Sequence, residues 1–176
     1  GVNTVGLDEV GRGSWAGPVA IGAVILPSFE NPPTGVTEML AVLNDSKKLS
    51  PKKRERICTQ IQELSVAWAV GMATSVEVDT LGLSKALTMA TERALDTIAT
   101  ELPIDSIILD GNVNYLKTTK YSHIPTHVEE KLDASCDVVA AASIVAKVIR
   151  DSHMDELAEK YPGYGWEKNK GYFAPK

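Results

Sequence analysis

The sequence predicts an α/β protein in which a mixed β-sheet is flanked by helices. Two observations support this fold class. Short apolar runs rich in β-branched residues come first, and amphipathic helical patterns then alternate with further runs of the same kind. Acidic residues also follow apolar stretches near residues 8, 110 and 133, and sheets of this class bind ligands beyond the ends of their strands. The 176 residues are enough for one domain with a substantial core.

Four segments have the composition of strands: residues 2–8, 18–26, 66–73 and 104–109. The segment between the first two contains Gly11, Gly13 and Gly17, so we expect a turn there. Two strands joined by so short a connection predict an antiparallel hairpin.

Helical patterns follow the strands. Ser50 and Pro51 suit the start of a helix whose apolar residues Ile57, Ile61 and Leu64 share one face. A longer helix is expected from residue 83 or 84 to residue 99. A third covers residues 137–150, and residues 152–161 form a fourth helix or its continuation. We expect residues 28–45 to form a loop with room for one helical turn near residues 38–43.

Composition restricts the class of protein. Hydrophobic residues make up 44% and charged residues 23%, and no apolar run approaches the length that spans a membrane. No secretory signal is visible at the N-terminus. The two cysteines, Cys58 and Cys136, stand far apart, which favours reduced thiols in a cytoplasmic protein.

The charge distribution leaves two interpretations open. A net charge of -5 argues against a nucleic-acid partner, yet six basic residues and one acid lie between Lys47 and Arg56. This basic run is either a solvated helix face or a surface that contacts a nucleic-acid backbone.

Four acidic residues predict a metal site: Asp8, Glu9, Asp110 and Asp133. Carboxylates that converge at strand ends repel one another, and a divalent cation is the simplest relief. Oxygen ligands favour hard divalent ions such as Mg²⁺ or Mn²⁺. Glu9 requires a distortion of its strand, because neighbouring strand residues point to opposite faces.

The chain resembles the type 2 ribonucleases H, the ribonuclease HII group. The matching segments stand in the family's order from residue 6 to residue 172. They are Gly6-Leu7-Asp8-Glu9-Val10-Gly11-Arg12-Gly13 with Gly17-Pro18-Val19, Asp45-Ser46-Lys47-Lys48-Leu49, Leu109-Asp110-Gly111, Ala141-Ala142-Ser143-Ile144-Val145-Ala146-Lys147 with Arg150-Asp151, and Lys170-Gly171-Tyr172.

This resemblance implies a ribonuclease H-like fold, with a mixed five-stranded sheet flanked by helices, over a single domain of residues 1–176. Residues from about 151 on would form a short C-terminal helical and loop appendage. The implied activity is that of a metal-dependent endonuclease that hydrolyses RNA in RNA–DNA hybrids. It would also incise duplex DNA on the 5′ side of embedded ribonucleotides, leaving 3′-hydroxyl and 5′-phosphate ends, as in ribonucleotide excision repair. We expect a cytoplasmic monomer.

The resemblance also implies roles for individual residues. The four metal-binding acids of the family correspond to Asp8, Glu9, Asp110 and Asp133. The remaining family positions contact the substrate, and they are Gly11, Arg12 and Gly13 at the ribonucleotide junction, Lys47 at a phosphate, and Tyr172 at the sugar. Taken alone, the glycine-arginine-glycine segment is typical of a tight turn and the tyrosine of a packing aromatic.

Two departures from the family pattern stand out: Leu132 replaces a glycine before the fourth acid, and Asn169 replaces a histidine before Lys170. Two other functions remain open at this point. One is a catalytically silent nucleic-acid-binding module, and the other is a related nuclease or integrase that acts on DNA alone.

Overall fold

The structure is a computed structural model, and it describes residues 2–11, 17–28, 34–43 and 48–160. Within those residues the chain forms five strands and five α-helices. The strands are β1 (Thr4–Val10), β2 (Val19–Ile25), β3 (Ala67–Ala73), β4 (Ser106–Asp110) and β5 (Thr126–Glu129). The helices are α1 (Thr34–Leu43), α2 (Pro51–Leu64), α3 (Ser75–Leu81), α4 (Leu83–Ala99) and α5 (Asp137–Lys160).

The strands form one mixed sheet in the order β3-β2-β1-β4-β5. β1 and β2 pair antiparallel, as do β2 and β3, whereas β4 runs parallel to both β1 and β5. The expected five-stranded mixed sheet and the antiparallel pairing of its first two strands are therefore confirmed.

Helices cover both faces of the sheet. α4 packs on one face, where its apolar stripe meets residues such as Leu7, Ile21 and Leu109. α5 lies on the other face with α2 and α1, and its alanines at residues 140–142 pack in one cluster with Val24 of β2. Small side chains let α5 approach closely, since a Cβ placed on Gly22 would lie 2.0 Å from the Ala142 carbonyl oxygen.

Several local predictions are confirmed. The Ser50 hydroxyl accepts a hydrogen bond from the Lys53 amide, which caps α2 as expected. Residues 137–160 form one helix, so the segment expected after residue 152 is a continuation. Cys58 and Cys136 are both free thiols. No helix in the described part of the chain is long and apolar enough to cross a membrane. The expected appendage after residue 151 stays a prediction.

Other local predictions are wrong. Residues 34–43 form a helix where a loop was expected, because Val36, Met39 and Leu43 share a buried face against the α5 side of the sheet. β1 continues through Glu9 to Val10 instead of ending at residue 8. Trp68 lies in an apolar run that is typical of a buried strand, but its side chain is 37% exposed because β3 is an edge strand.

Candidate metal and substrate site

The register of the central strands brings the first two predicted ligands together. β1 and β4 pair in parallel, with Leu7 opposite Leu109. The next residue on each strand is an acid, Asp8 or Asp110, and alternation turns both toward the face opposite the leucines. Two carboxylates separated by 102 residues in sequence therefore lie side by side at the carboxyl ends of neighbouring strands.

The third acid comes from the segment between β5 and α5. Leu132–Ala134 form a single 3₁₀ turn, entered through Lys131 in the left-handed conformation with φ of 63°. The Leu132 amide donates a hydrogen bond to Asp110 Oδ1 at 3.2 Å, which ties this turn to the end of β4. Leu132 stands where the family pattern has a glycine, and its side chain is buried within the turn. With leucine at this position, Asp133 still lies beside Asp110.

The three aspartates form a compact cluster. Asp8, Asp110 and Asp133 each offer a carboxylate oxygen within 4.8 Å of the others. Burial, followed by the charge of the neighbouring Asp110, raises the pKa of Asp8 to about 8, although a hydrogen bond from the Ser143 hydroxyl opposes this rise. Burial and the Asp133 charge also raise the pKa of Asp110. The cluster therefore resists full ionisation unless a cation joins it, and its all-oxygen donors suit a hard divalent ion.

Glu9 is not among the three acids whose oxygens lie within 4.8 Å of one another, although it lines the same cavity as Asp133. Neighbouring strand residues point to opposite faces, and Glu9 Oε2 accepts a hydrogen bond from the Tyr115 hydroxyl at 3.1 Å. Tyr115 belongs to the apolar cluster on the α4 side of the sheet, together with Leu7. Among the described acids, the three aspartates form the cluster and Glu9 does not join it, so its role as a fourth ligand stays a prediction.

The sequence argument missed the basic and hydroxyl groups that surround the aspartates. A cavity of about 170 Å³ lies beside the cluster, and Arg54 and Lys147 bring positive charge to it. Lys147 also forms an ion pair with Asp151, at 3.0 Å. The spacing of Ser143 and Lys147, four residues apart on α5, was a usable signal once that helix was known to cover the acidic strand ends. The residues lining the cavity are Glu9, Val10, Arg54, Asp133, Ser143, Ile144 and Lys147.

A buried arginine holds the start of the predicted junction-reading segment. Arg150 is fully buried, and its Nε donates to the Pro18 carbonyl at 2.8 Å. Gly11 has φ of 93°, and a Cβ there would lie 2.5 Å from Arg150 Nε. Glycine at residue 11 thus satisfies both the backbone conformation and the close contact.

The remaining predicted substrate contacts cannot be placed. Arg12, Gly13, Lys47 and Tyr172 lie outside the described residues. His123 and His127, four residues apart in the sequence, are both exposed.

A mixed sheet in this strand order, with a carboxylate cluster at the ends of its two central parallel strands, defines a nuclease of the ribonuclease H-like class. Comparisons with known proteins agree. The family model described as Ribonuclease HII matches residues 5–176. Ribonuclease HII of Thermus thermophilus is 44% identical over 172 residues, which cover 98% of this chain and 76% of that protein.

Solved structures share the fold. Ribonuclease H2 from Pyrococcus horikoshii OT3 has a TM-score of 0.74 at 26% identity, covering 98% of this chain and 82% of that chain. Bst-RNase HIII in complex with Mn²⁺ has a TM-score of 0.70 at 25% identity, covering 90% of this chain and 55% of that one. The chain belongs to the ribonuclease HII family. It is an endonucleolytic hydrolase with ribonuclease H activity, directed at the RNA of RNA–DNA hybrids.

Proposed function

We propose that this enzyme is a metal-dependent endonuclease that, besides hydrolysing RNA in RNA–DNA hybrids, incises duplex DNA on the 5′ side of an embedded ribonucleotide. Its products would carry 3′-hydroxyl and 5′-phosphate ends, which suits ribonucleotide excision repair. The observation that carries this proposal is the convergence of Asp8, Asp110 and Asp133 within 4.8 Å at the ends of the central strands.

The donor set fits two divalent ions, Mg²⁺ or Mn²⁺. Asp8, Asp110 and Asp133 would hold these ions, with Glu9 as the fourth ligand. Carboxylate oxygens suit these hard cations, and Mn²⁺ is bound by a solved ribonuclease HIII of the same fold. Such ions would supply an activated water and neutralise the charge that develops on the phosphate and the leaving oxygen.

Hydrogen bonds from neighbouring groups of the protein orient the aspartates of the cluster. The Ser143 hydroxyl donates to the Asp8 carboxylate, and the amides of Leu132 and Asp133 donate to Asp110, so both side chains are held in fixed orientations. Arg54 and Lys147 line the adjacent cavity and would attract a phosphate group to it. These contacts support hydrolysis of a phosphodiester placed over the aspartates.

Recognition of the ribonucleotide would fall to the segment that starts at Gly11. A single ribonucleotide differs from its DNA neighbours by one 2′-hydroxyl, which both donates and accepts hydrogen bonds. Backbone groups can approach it where no Cβ intrudes, and Gly11 meets that condition. Arg12 and Gly13 would continue this contact, Lys47 would bind a phosphate, and Tyr172 would stack on the sugar.

A duplex assay tests the proposal. With Mg²⁺ present, we expect cleavage of a DNA duplex that contains one ribonucleotide and of an RNA–DNA hybrid, but no cleavage of an all-DNA duplex of the same sequence. End analysis should find the nick on the 5′ side of the ribonucleotide. Equal cleavage of the all-DNA control would favour a DNA nuclease instead, and binding without cleavage would favour a silent binding module. The monomeric state and the cytoplasmic location stay predictions.

A further inference from the structure

A second cavity, of about 530 Å³, lies on the α4 side of the sheet. One wall is the first part of α4, and the other is the segment that follows β4. The described residues that line it include two lysines and several hydroxyl groups and no acidic side chain. The polar lining residues that carry the argument are Ser84, Lys85, Thr88, Lys117 and Thr118.

These polar groups have no partner within the described part of the chain. The ammonium groups of Lys85 and Lys117 form neither an ion pair nor a hydrogen bond there, and both side chains are exposed. Lys120, in the same segment as Lys117, instead forms an ion pair with Asp96 at 2.8 Å. A concave surface that offers two unpaired cations, free hydroxyls and no carboxylate is suited to an anion.

The cavity opens at the same edge of the sheet as the aspartate cluster. β3 runs parallel to β1, because each pairs antiparallel with β2. Ala90 of α4 lies over Gly71, so the start of that helix lies beyond the carboxyl end of β3. Tyr115 joins the two sites, since it lines the cavity and donates its hydroxyl to Glu9, next to Asp8.

We propose that this cavity binds a backbone phosphate, with its sugar, of the nucleic-acid duplex whose scissile phosphate lies at the aspartate cluster. The inference rests on the proposed function. Val113, 43% exposed, supplies an apolar contact for the sugar, while the lysines and hydroxyls hold the phosphate. A polynucleotide fits better than a free nucleotide, because the ring of Tyr115 is buried and offers no open face for a base.

The test is the salt dependence of duplex binding by the single variants Lys85→Gln and Lys117→Gln. Each should raise Kd for an uncleavable all-DNA duplex about threefold or more and lower the slope of log Kd against log salt by about 0.9, the share of one phosphate contact. The matched control is Lys120→Gln, which removes an exposed lysine charge already paired with Asp96. It should leave both Kd and slope at the wild-type values.

Three outcomes decide the inference. The inference is supported if both cavity variants bind the duplex more weakly and show a smaller slope of log Kd against log salt, while the control does neither. Wild-type values in both cavity variants overturn it and leave the lysines as solvated surface charges. If submillimolar inorganic phosphate inhibits duplex binding by the wild type but not by Lys85→Gln, the ligand of the cavity is a free anion. That result overturns the assignment of the cavity to a nucleic-acid backbone. Because binding is measured on uncleavable DNA, failure of the proposed cleavage specificity is seen separately, in the duplex assay.

Discussion

Asp8 shows how one buried acid links stability to catalysis. It is buried at the end of the central strand, and its pKa is raised to about 8 by burial and by Asp110. An acid with so high a pKa favours the protonated form in the folded chain, whereas a divalent ion requires the carboxylate. Ionisation of Asp8 is therefore unfavourable without a cation, and Asp8 can serve as a metal ligand only in the ionised form.

Replacement of Asp8 by asparagine should separate these two effects. We expect Asp8→Asn to reduce cleavage at least about 10³-fold, because a ligand central to the cluster is lost. Binding of the ribonucleotide-containing duplex should be retained. Cleavage rates and anisotropy measurements check both points, and Asp79→Asn, on the exposed surface of α3, is the control. Undiminished cleavage would contradict the assignment of Asp8.

The metal-free protein should lose stability as pH rises. Below about pH 4 Asp8 is protonated in both states; between about pH 4 and pH 8 it ionises in the unfolded chain only, which favours unfolding. We expect the ionisation of Asp8 to lower the free energy of unfolding by about 2–5 kcal/mol between these pH values. Mg²⁺ should restore stability at pH 8.

Urea unfolding with a chelator at pH 5 and pH 8 measures this contribution as the difference between the wild type and Asp8→Asn. Between pH 5 and pH 8 the free energy of unfolding of the variant should fall less than that of the wild type. Mg²⁺ should also raise it less. Identical pH profiles for the two proteins would show that Asp8 ionises freely in the folded state.

Residues of the site differ in how readily a sequence reveals them. Asp8, Asp110 and Asp133 could be predicted, because an acid after an apolar run is costly unless something binds it. Arg54, Tyr115 and the close contact of Arg150 with Gly11 could not be predicted from the residues alone, because each depends on how distant elements pack. Glu9 illustrates the limit, since strand alternation alone does not decide whether its carboxylate joins the aspartates, and its role as a ligand stays a prediction.

At the scale of elements, the site depends on how closely α5 approaches the sheet. The alanines of residues 140–142 and the glycines of β1 and β2 remove the side chains that would hold them apart. A Cβ on Gly22 would lie 2.0 Å from the Ala142 carbonyl oxygen, and one on Gly6 would lie 2.6 Å from the Val138 backbone. Ser143 follows Ala142, so this contact also sets the position of its hydroxyl against Asp8.

The substitution Gly22→Ala should destabilise the protein by about 3 kcal/mol, because backbone atoms of β2 or α5 must move. Gly35→Ala is the matched control, because a Cβ at Gly35, in α1, meets no atom of the described residues within 4 Å. Gly35→Ala should leave the stability unchanged or raise it by up to about 1 kcal/mol, because alanine is favoured over glycine in a helix. Urea denaturation compares the two. Equal effects would show that α5 can shift without cost.

Elements with a strong local pattern were predictable, and short ones were not. α4 carries seven buried residues along one stripe, which its sequence period shows. α3 buries none of its residues and is stabilised by a capping box between Thr74 and Glu77. β5 has only four residues on the sheet edge and lacks an apolar run, so pairing with β4 decides its structure.

The whole molecule carries a net charge of -5 but an uneven distribution of charge. Lys52, Lys53 and Arg56 lie exposed on α2, while Arg54 faces the cavity beside Asp133. The salt dependence of cleavage separates a solvated helix face from a surface that contacts the nucleic-acid backbone.

We expect kcat/KM at subsaturating substrate to fall as salt concentration rises, because phosphate contacts release counterions. In the double variant Lys52→Gln, Lys53→Gln the slope of log kcat/KM against log salt should become shallower by about 2 if both lysines contact the backbone. A wild-type rate that stays flat across ionic strength would leave α2 as an ordinary solvated helix.

Parallel pairing of β1 with β4 has a consequence for how the chain is made. β1 receives its hairpin partner within the first 25 residues, but the strand for its other side begins only at residue 106. Until then a nascent chain presents an open apolar edge in the middle of its future sheet, the kind of edge that recruits strands from other chains. Synthesis of this enzyme therefore has a long interval in which association with neighbouring nascent chains competes with completion of the fold.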